Sequence, residues 1–283
     1  MTLPAAEDAA GSDFTEGQEM GGIREFNAEI DGGAALCITF GRGDRPLVMV
    51  PGLRFSSIRG GGPVLAAAYR IFAKEYRVYV IDRKDPVSPG CTIRDLAKDL
   101  AAVMEKLGVT CADVIGVSQG GMIAQELAIG HPELVRKLVL GVTAARPNDT
   151  MTDAIRTWTE MVSRGDYGAA ARDYMVRGFS QSYIKKYRLF LPLAVKLQKT
   201  MAPEQFIALA EACLTCDSFE RLDTISCPVL VLGGGKDRVV TGEASLEIAQ
   251  RLGCDYYVYP ELSHEAYNEA PDFNRRIYDF LRG

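Results

Sequence analysis

The strongest constraint on the fold is a series of short runs that are apolar from end to end. They occupy residues 47–50, 78–81, 114–117, 138–140 and 229–232, and each is too short for a helix of its own. Successive strand residues point to opposite faces, so a run with no polar alternation predicts a strand covered on both sides, as in a parallel sheet. Helical patterns lie between the runs. The clearest has Ile93, Leu96, Ala97, Leu100, Val103, Met104 and Leu107 on one helical face, with Thr92 and Asp95 spaced as a capping box and Gly108 as a stop. Strands alternating with helices imply right-handed crossovers and a doubly wound sheet. The chain opens differently: residues 23–30 and 35–40 read as strands joined by Asp31-Gly32-Gly33, an antiparallel hairpin.

The alternation lapses between Ala144 and Asp223, where helical segments fall near 151–164, 166–177, 181–199 and 203–215, and resumes at Cys227. A last strand covers residues 256–259, and a closing helix begins near Pro271. The expected fold class is therefore α/β: a mostly parallel doubly wound sheet with antiparallel N-terminal strands and a helical lid insertion. The core would span 22–144 and 224–283, and the lid 145–223. Residues 1–21, rich in Ala, Gly, Glu and Asp and without periodicity, read as a mobile tail.

Composition narrows the function. A chain of 283 residues with 47% apolar and 24% charged side chains can bury a large core without staples. The 32 basic and 37 acidic residues give a net charge of −5 with no basic block, so neither nucleic acid nor an anionic membrane is an expected partner. The acidic start is unlike a signal peptide, and no run reaches the roughly 18 apolar residues that a span requires. Seven scattered cysteines, an odd number, read as free thiols of a reducing cytoplasm. The expected partner is a small-molecule substrate; the oligomeric state is open, a homo-oligomer included.

One segment carries chemistry. Val114-Ile115-Gly116-Val117-Ser118-Gln119-Gly120-Gly121 places Gly-x-Ser-x-Gly between a buried strand and a helix, the context of a nucleophile elbow. Ser118 would be exposed on a strained turn, with the Gln119 N–H and the helix N-terminus beside it to hold an oxyanion. The glycines do not fall in a dinucleotide-binding pattern, and no Walker lysine follows. A serine nucleophile needs a base, and the chain has two histidines. His131, in Gly-His-Pro-Glu at a helix end, reads as structural; His264 follows the last strand, at the sheet edge where catalytic groups gather. A carboxylate should fall between Ser118 and His264 in chain order. Asp237, in the turn after residues 229–232, is the candidate, with simple turn formation as its competing role. Asp223 precedes that strand and would lie at the wrong end.

These residues, with Gly121-Met122-Ile123-Ala124-Gln125 and Glu269-Ala270-Pro271-Asp272-Phe273-Asn274, resemble the α/β-hydrolase superfamily over about residues 23–282. The segment His131-Pro132-Glu133-Leu134-Val135 looks like the branch holding enol-lactonases, carboxylesterases and cofactor-free haloperoxidases. The resemblance implies a triad of Ser118, Asp237 and His264, no cofactor and no metal. By position it makes Leu53 the second backbone oxyanion donor. Two departures stand out: Pro51-Gly52-Leu53-Arg54 replaces the usual His-Gly, and Asp82-Arg83-Lys84-Asp85-Pro86 replaces a glycine-rich turn. The implied reaction is hydrolysis of a small carboxylic ester, thioester or lactone through an acyl-enzyme. C–C bond hydrolysis, aminopeptidase action, acyl transfer and perhydrolysis use the same constellation, and a non-catalytic small-molecule receptor is the alternative of a different class.

Aromatic residues crowd the insertion, and Trp158 and Tyr183 are candidates to touch substrate. Arg54, beside the oxyanion loop, either binds a substrate carboxylate or lies in solvent. Cys213 and Cys216 have the spacing of a metal or redox pair but lack a second pair or a nearby histidine, and read as packing residues.

Overall fold

The computed structural model describes residues 14–187 and 200–283. Its described residues form a nine-stranded sheet in the order β1-β2-β3-β5-β4-β6-β7-β8-β9. The strands are β1 (Phe14–Met20), β2 (Ile23–Ile30), β3 (Gly33–Phe40), β4 (Arg45–Val50), β5 (Tyr76–Asp85), β6 (Ala112–Val117), β7 (Val135–Gly141), β8 (Val229–Gly234) and β9 (Asp255–Tyr259). From β5 through β9 across the sheet the pairs are parallel, while β1-β2, β2-β3 and β3-β5 are antiparallel.

The apolar runs are central strands buried on both faces. In β4, Val48 and Val50 join the core on one side of the sheet, while Leu47 and Met49 join the core on the other. The first core packs against helices α2 (Ile93–Lys106) and α3 (Gln119–Gly130); the second packs under α10 (Phe273–Arg282), through Phe273, Ile277 and Leu281. A short α1 (Gly62–Ala68) follows β4, α8 (Gly242–Leu252) follows β8, and α9 (Ala266–Glu269) precedes α10. The capping box at α2 is present: the Thr92 hydroxyl accepts from the Asp95 N–H at 3.1 Å, and the Asp95 carboxylate accepts from the Thr92 N–H at 3.2 Å.

Between β7 and β8 the insertion holds α4 (Asp149–Ser163), α5 (Tyr167–Gly178), α6 (Gln181–Tyr187) and α7 (Pro203–Cys213). The stretch 188–199 of the expected third helix lies outside the described residues, as do residues 1–13 of the expected tail. Residues 14–20 correct the tail expectation, because they form β1 at the sheet edge. Gly21 and Gly22, at φ +61° and +82°, make the two-residue turn that folds β1 back so that Met20 faces Ile23. Glu16, Gly17, Gln18 and Glu19 hide the strand in the sequence, since polar edge strands lack the apolar alternation that marks covered ones. Among the described residues no helix is long and apolar enough to cross a membrane.

Thr92→Ala removes the cap that starts α2 and should lower the unfolding free energy by about 1 kcal/mol. Urea denaturation checks this; an unchanged midpoint with an unchanged slope would show that the box contributes nothing.

Candidate active site

The site begins with a backbone constraint. Ser118 sits between the last residue of β6 and the first of α3 at φ 54°, ψ −122°, a conformation that L-residues rarely adopt. The fold pins it from several directions. Its N–H donates to the Gly141 carbonyl at 2.9 Å, and its own carbonyl accepts from the Gly121 N–H at 2.8 Å and the Thr143 hydroxyl at 2.7 Å. The flanking glycines are sterically required: a Cβ on Gly116 would lie 2.4 Å from the Gly120 carbonyl oxygen, and one on Gly120 would lie 2.0 Å from the Val50 oxygen. The turn therefore presents a serine hydroxyl at the carboxyl edge of the sheet.

Loops after β8 and β9 bring the other two groups to that edge. His264 Nε2 lies 2.9 Å from Ser118 Oγ, and His264 Nδ1 lies 2.8 Å from Asp237 Oδ2. The second carboxylate oxygen of Asp237 accepts from the N–H groups of Val239 and Val240, at 2.7 and 3.0 Å. With the carboxylate as acceptor, Nδ1–H donates and Nε2 is left to accept from the serine. His264 is 1% exposed, and burial alone would push its pKa down. The charge and hydrogen bond of Asp237, helped by the Glu265 charge, outweigh burial and raise the pKa above the ordinary histidine value. Asp237 thus serves more than its turn. Asp223 instead pairs with Arg251 at 2.7 Å, and His131 is half-buried beside Glu133.

Gln119 is the first residue of α3, so its N–H has no acceptor within the helix. The Gln119 side chain is buried behind the turn, donating to the Leu209 carbonyl at 2.5 Å and to Cys213 Sγ at 3.2 Å. Burial pushes the Cys213 thiol up to about 12, which suits packing. Opposite Gln119, a Cβ on Gly52 would lie 3.2 Å from Ser118 Cβ, placing the Gly52–Leu53 peptide against the nucleophile.

A cavity of about 340 Å³ opens over Ser118, walled by Leu53, Arg54 and Phe55, by Tyr174, Phe179 and Tyr183 of the insertion, and by Glu265, Tyr267 and Asn268. Tyr183 therefore reaches the cavity, as the sequence suggested. Arg54 is exposed at its wall, with Nε donating weakly to the Ser56 carbonyl at 3.4 Å. Trp158 does not line it. The indole is 2% exposed, donates to Asp173 at 2.8 Å and packs edge-on behind Phe55, which itself stacks on Phe206 at 4.7 Å. As the one tryptophan of the insertion it was an obvious candidate, but α4 turns it inward, where its area stabilises the wall.

The sequence reading missed the polar end of the cavity. The buried Glu265 carboxylate accepts from the hydroxyls of Tyr174 and Tyr267 and from the Asn268 amide. The adjacency of Glu265 to His264 was the available signal; Tyr174 was one aromatic among many.

Comparisons with known proteins bear on the family and the fold. Residues 45–271 match the model of the alpha/beta hydrolase fold family. Among curated relatives, 3-oxoadipate enol-lactonase 2 from Acinetobacter baylyi is 26% identical over 250 residues, covering 84% of this chain and 90% of its own. The pimeloyl-[acyl-carrier protein] methyl ester esterase of Neisseria meningitidis serogroup B is 27% identical over 209 residues, covering 65% and 76%. The solved structure of the enol-lactonase from Burkholderia xenovorans LB400 superposes with a TM-score of 0.80 at 21% identity, covering 91% of this chain and 100% of its own. The chain belongs to the α/β-hydrolase fold family.

An NMR titration of the His264 ring should give a midpoint above 6.5, and Asp237→Asn, which removes the charge but keeps the burial, should lower it. A wild-type midpoint below 6.5 would show that burial outweighs the carboxylate.

Proposed function

We propose that the protein is a serine hydrolase of small carboxylic esters, thioesters or lactones, working through an acyl-enzyme. The observation that carries this reading is the unbroken chain from Ser118 Oγ through His264 to Asp237, with Ser118 lining a cavity of about 340 Å³. Ester and lactone chemistry is also what the names of the enol-lactonase and the methyl ester esterase describe in those relatives.

The reaction is written with side chains and water alone. Ser118 Oγ attacks the acyl carbon as His264 Nε2 takes its proton, and the carbonyl oxygen becomes an oxyanion facing the N–H groups of Gln119 and Leu53. Collapse breaks the bond to the leaving oxygen or sulfur, which receives the proton from His264. Water then attacks the acyl-serine, giving its proton to the same nitrogen, and a second collapse releases the acid and restores Ser118. In a lactone both products remain one molecule, an open hydroxy acid. Asp237 holds the ring in the required tautomer and stabilises its charged form.

Helices α5 and α6 of the insertion form the cover that selects substrate, since Tyr174, Phe179 and Tyr183 lie across the cavity from the nucleophile loop. A mostly apolar acyl or alcohol group fits these walls. The seven free thiols suit a reducing compartment, and we place the enzyme in the cytoplasm.

A screen of p-nitrophenyl esters and of lactones of increasing size should find turnover that Ser118→Ala abolishes while leaving the thermal midpoint within a few degrees. Hydrolysis by pure Ser118→Ala protein at the wild-type rate would refute the mechanism. Because His264 must be neutral to accept the proton, and its pKa is raised, kcat/KM should climb with pH through a midpoint above 6.5. A profile that falls over the same range would contradict His264 as the base.

The wall assignments separate two variants. Tyr183→Ala should shift the chain-length preference, whereas Trp158→Phe, which loses the bond to Asp173 and part of the buried indole's packing on Phe55 and Tyr174, should cost about 2 kcal/mol of stability and leave that preference alone. The opposite pattern would place Trp158, not Tyr183, against the substrate.

A further inference from the structure

Arg83 is a buried cation that the mechanism above does not use. Its side chain is 4% exposed, and the only hydrogen bonds of its guanidinium among the described residues go to two backbone carbonyls: Nη1 donates to Pro51 at 2.6 Å and Nη2 to Gly52 at 2.5 Å. Its Nε–H has no acceptor within hydrogen-bond distance, and the Asp82 carboxylate lies 3.7 Å away. Burying a guanidinium costs several kcal/mol unless its surroundings compensate, and here the compensation comes from the Asp82 charge and from two carbonyls of one loop.

That loop faces Ser118. In a trans peptide the C=O and N–H point in opposite directions, and the Gly52 carbonyl belongs to the same rigid plane as the Leu53 N–H. Fixing the carbonyl toward Arg83 fixes the N–H on the far side of the plane. The Pro51 carbonyl is held by the same planar fork, so the two consecutive peptides cannot rotate independently. The Asp82 carboxylate accepts from the Ile58 N–H at 3.3 Å and secures the other end of the same loop. The two sequence departures are therefore linked: the segment that replaces the glycine-rich turn supplies the group that holds the segment replacing His-Gly.

We infer that Arg83 is a positioning residue for the reaction proposed above, clamping the Pro51 and Gly52 carbonyls so that the Leu53 N–H is aimed at the oxyanion. This rests on the serine-hydrolase reading, and it assigns to Arg83 no contact with substrate. A clamp of this kind acts when charge develops on the carbonyl oxygen, so its loss appears in the transition state and leaves ground-state binding nearly unchanged.

The test compares wild type, Arg83→Met, Arg83→Lys and Ser118→Ala on one p-nitrophenyl ester, together with inhibition by a trifluoromethyl ketone, whose adduct on Ser118 carries an oxyanion. Arg83→Met should lose about a hundredfold in kcat, the scale of a lost oxyanion donor, with KM changed by less than about threefold. Its Ki for the ketone should rise by a similar factor. The ammonium of Arg83→Lys keeps the charge but lacks the planar fork, and it should fall between the two.

A kcat and ketone Ki at wild-type levels in Arg83→Met would overturn the clamp, even with a lowered thermal midpoint. Should Arg83→Met fail to fold, Arg83→Lys decides: wild-type kcat and ketone affinity in that variant would show that charge alone suffices and that the two-carbonyl geometry is irrelevant. The control separates the two ideas. Turnover by Ser118→Ala would remove the serine reading itself; a dead Ser118→Ala beside fully active Arg83 variants would remove only the clamp.

Discussion

Backbone crowding where β6 meets α3 sets the terms for everything around the cavity. The elbow lies so close to the end of β4 that a single methyl group at residue 120 would overlap the Val50 carbonyl, and one at residue 116 would overlap the Gly120 carbonyl. Glycine at both positions lets the backbones close in, the intervening residue takes a positive-φ turn, and the hydrogen bonds from Gly121 and Thr143 to the Ser118 carbonyl hold it there. The half-buried Ser118 lines the cavity from this turn. The loop after β4 also lies against Ser118, where a Cβ on Gly52 would come 3.2 Å from the Ser118 Cβ.

The remaining site groups depend on the parallel sheet. Strands β8 and β9 end at the same edge as β6, so the loops carrying Asp237 and His264 converge there although 27 residues separate the two side chains. Burial and charge then compete at the imidazole. Burial disfavours the proton, and Asp237 with Glu265 restores it, which leaves an imidazole whose charged form is stabilised. The insertion is anchored to that same loop: the Glu265 N–H donates to the Gly178 carbonyl at 2.8 Å and the Ser263 hydroxyl to the Arg177 carbonyl at 2.6 Å. The C-terminal end of α5 is thus joined to the segment that carries His264, so one wall of the cavity and the imidazole share a support.

Much of this was legible in the sequence because it follows from local rules. Apolar runs without alternation marked the covered strands, and Gly-x-Ser-x-Gly marked the strained strand-to-helix turn at Ser118. With two histidines in the chain, the sequence pointed to His264, which the fold brings within 2.9 Å of Ser118 Oγ. What escaped was set by long-range contacts. Strand β1 is a polar edge strand that pairs on one side and carries no apolar pattern. The inward turn of Trp158 depends on its neighbours Phe55, Asp173 and Tyr174, which no periodicity brings together. Arg83 was visible only as a departure from a family pattern; its meaning lies in two carbonyls more than 30 residues away, at sequence separations of 32 and 31.

The central claim is that Ser118, made nucleophilic by His264 and Asp237, is the group that carries the acyl transfer. Titration of the protein with a fluorophosphonate, followed by intact and peptide mass spectrometry alongside the residual esterase rate, tests it most directly. The account predicts one phosphonyl group per chain, located on Ser118, with turnover lost in proportion to the label. A label on another residue, or full turnover in completely labelled protein, would contradict it.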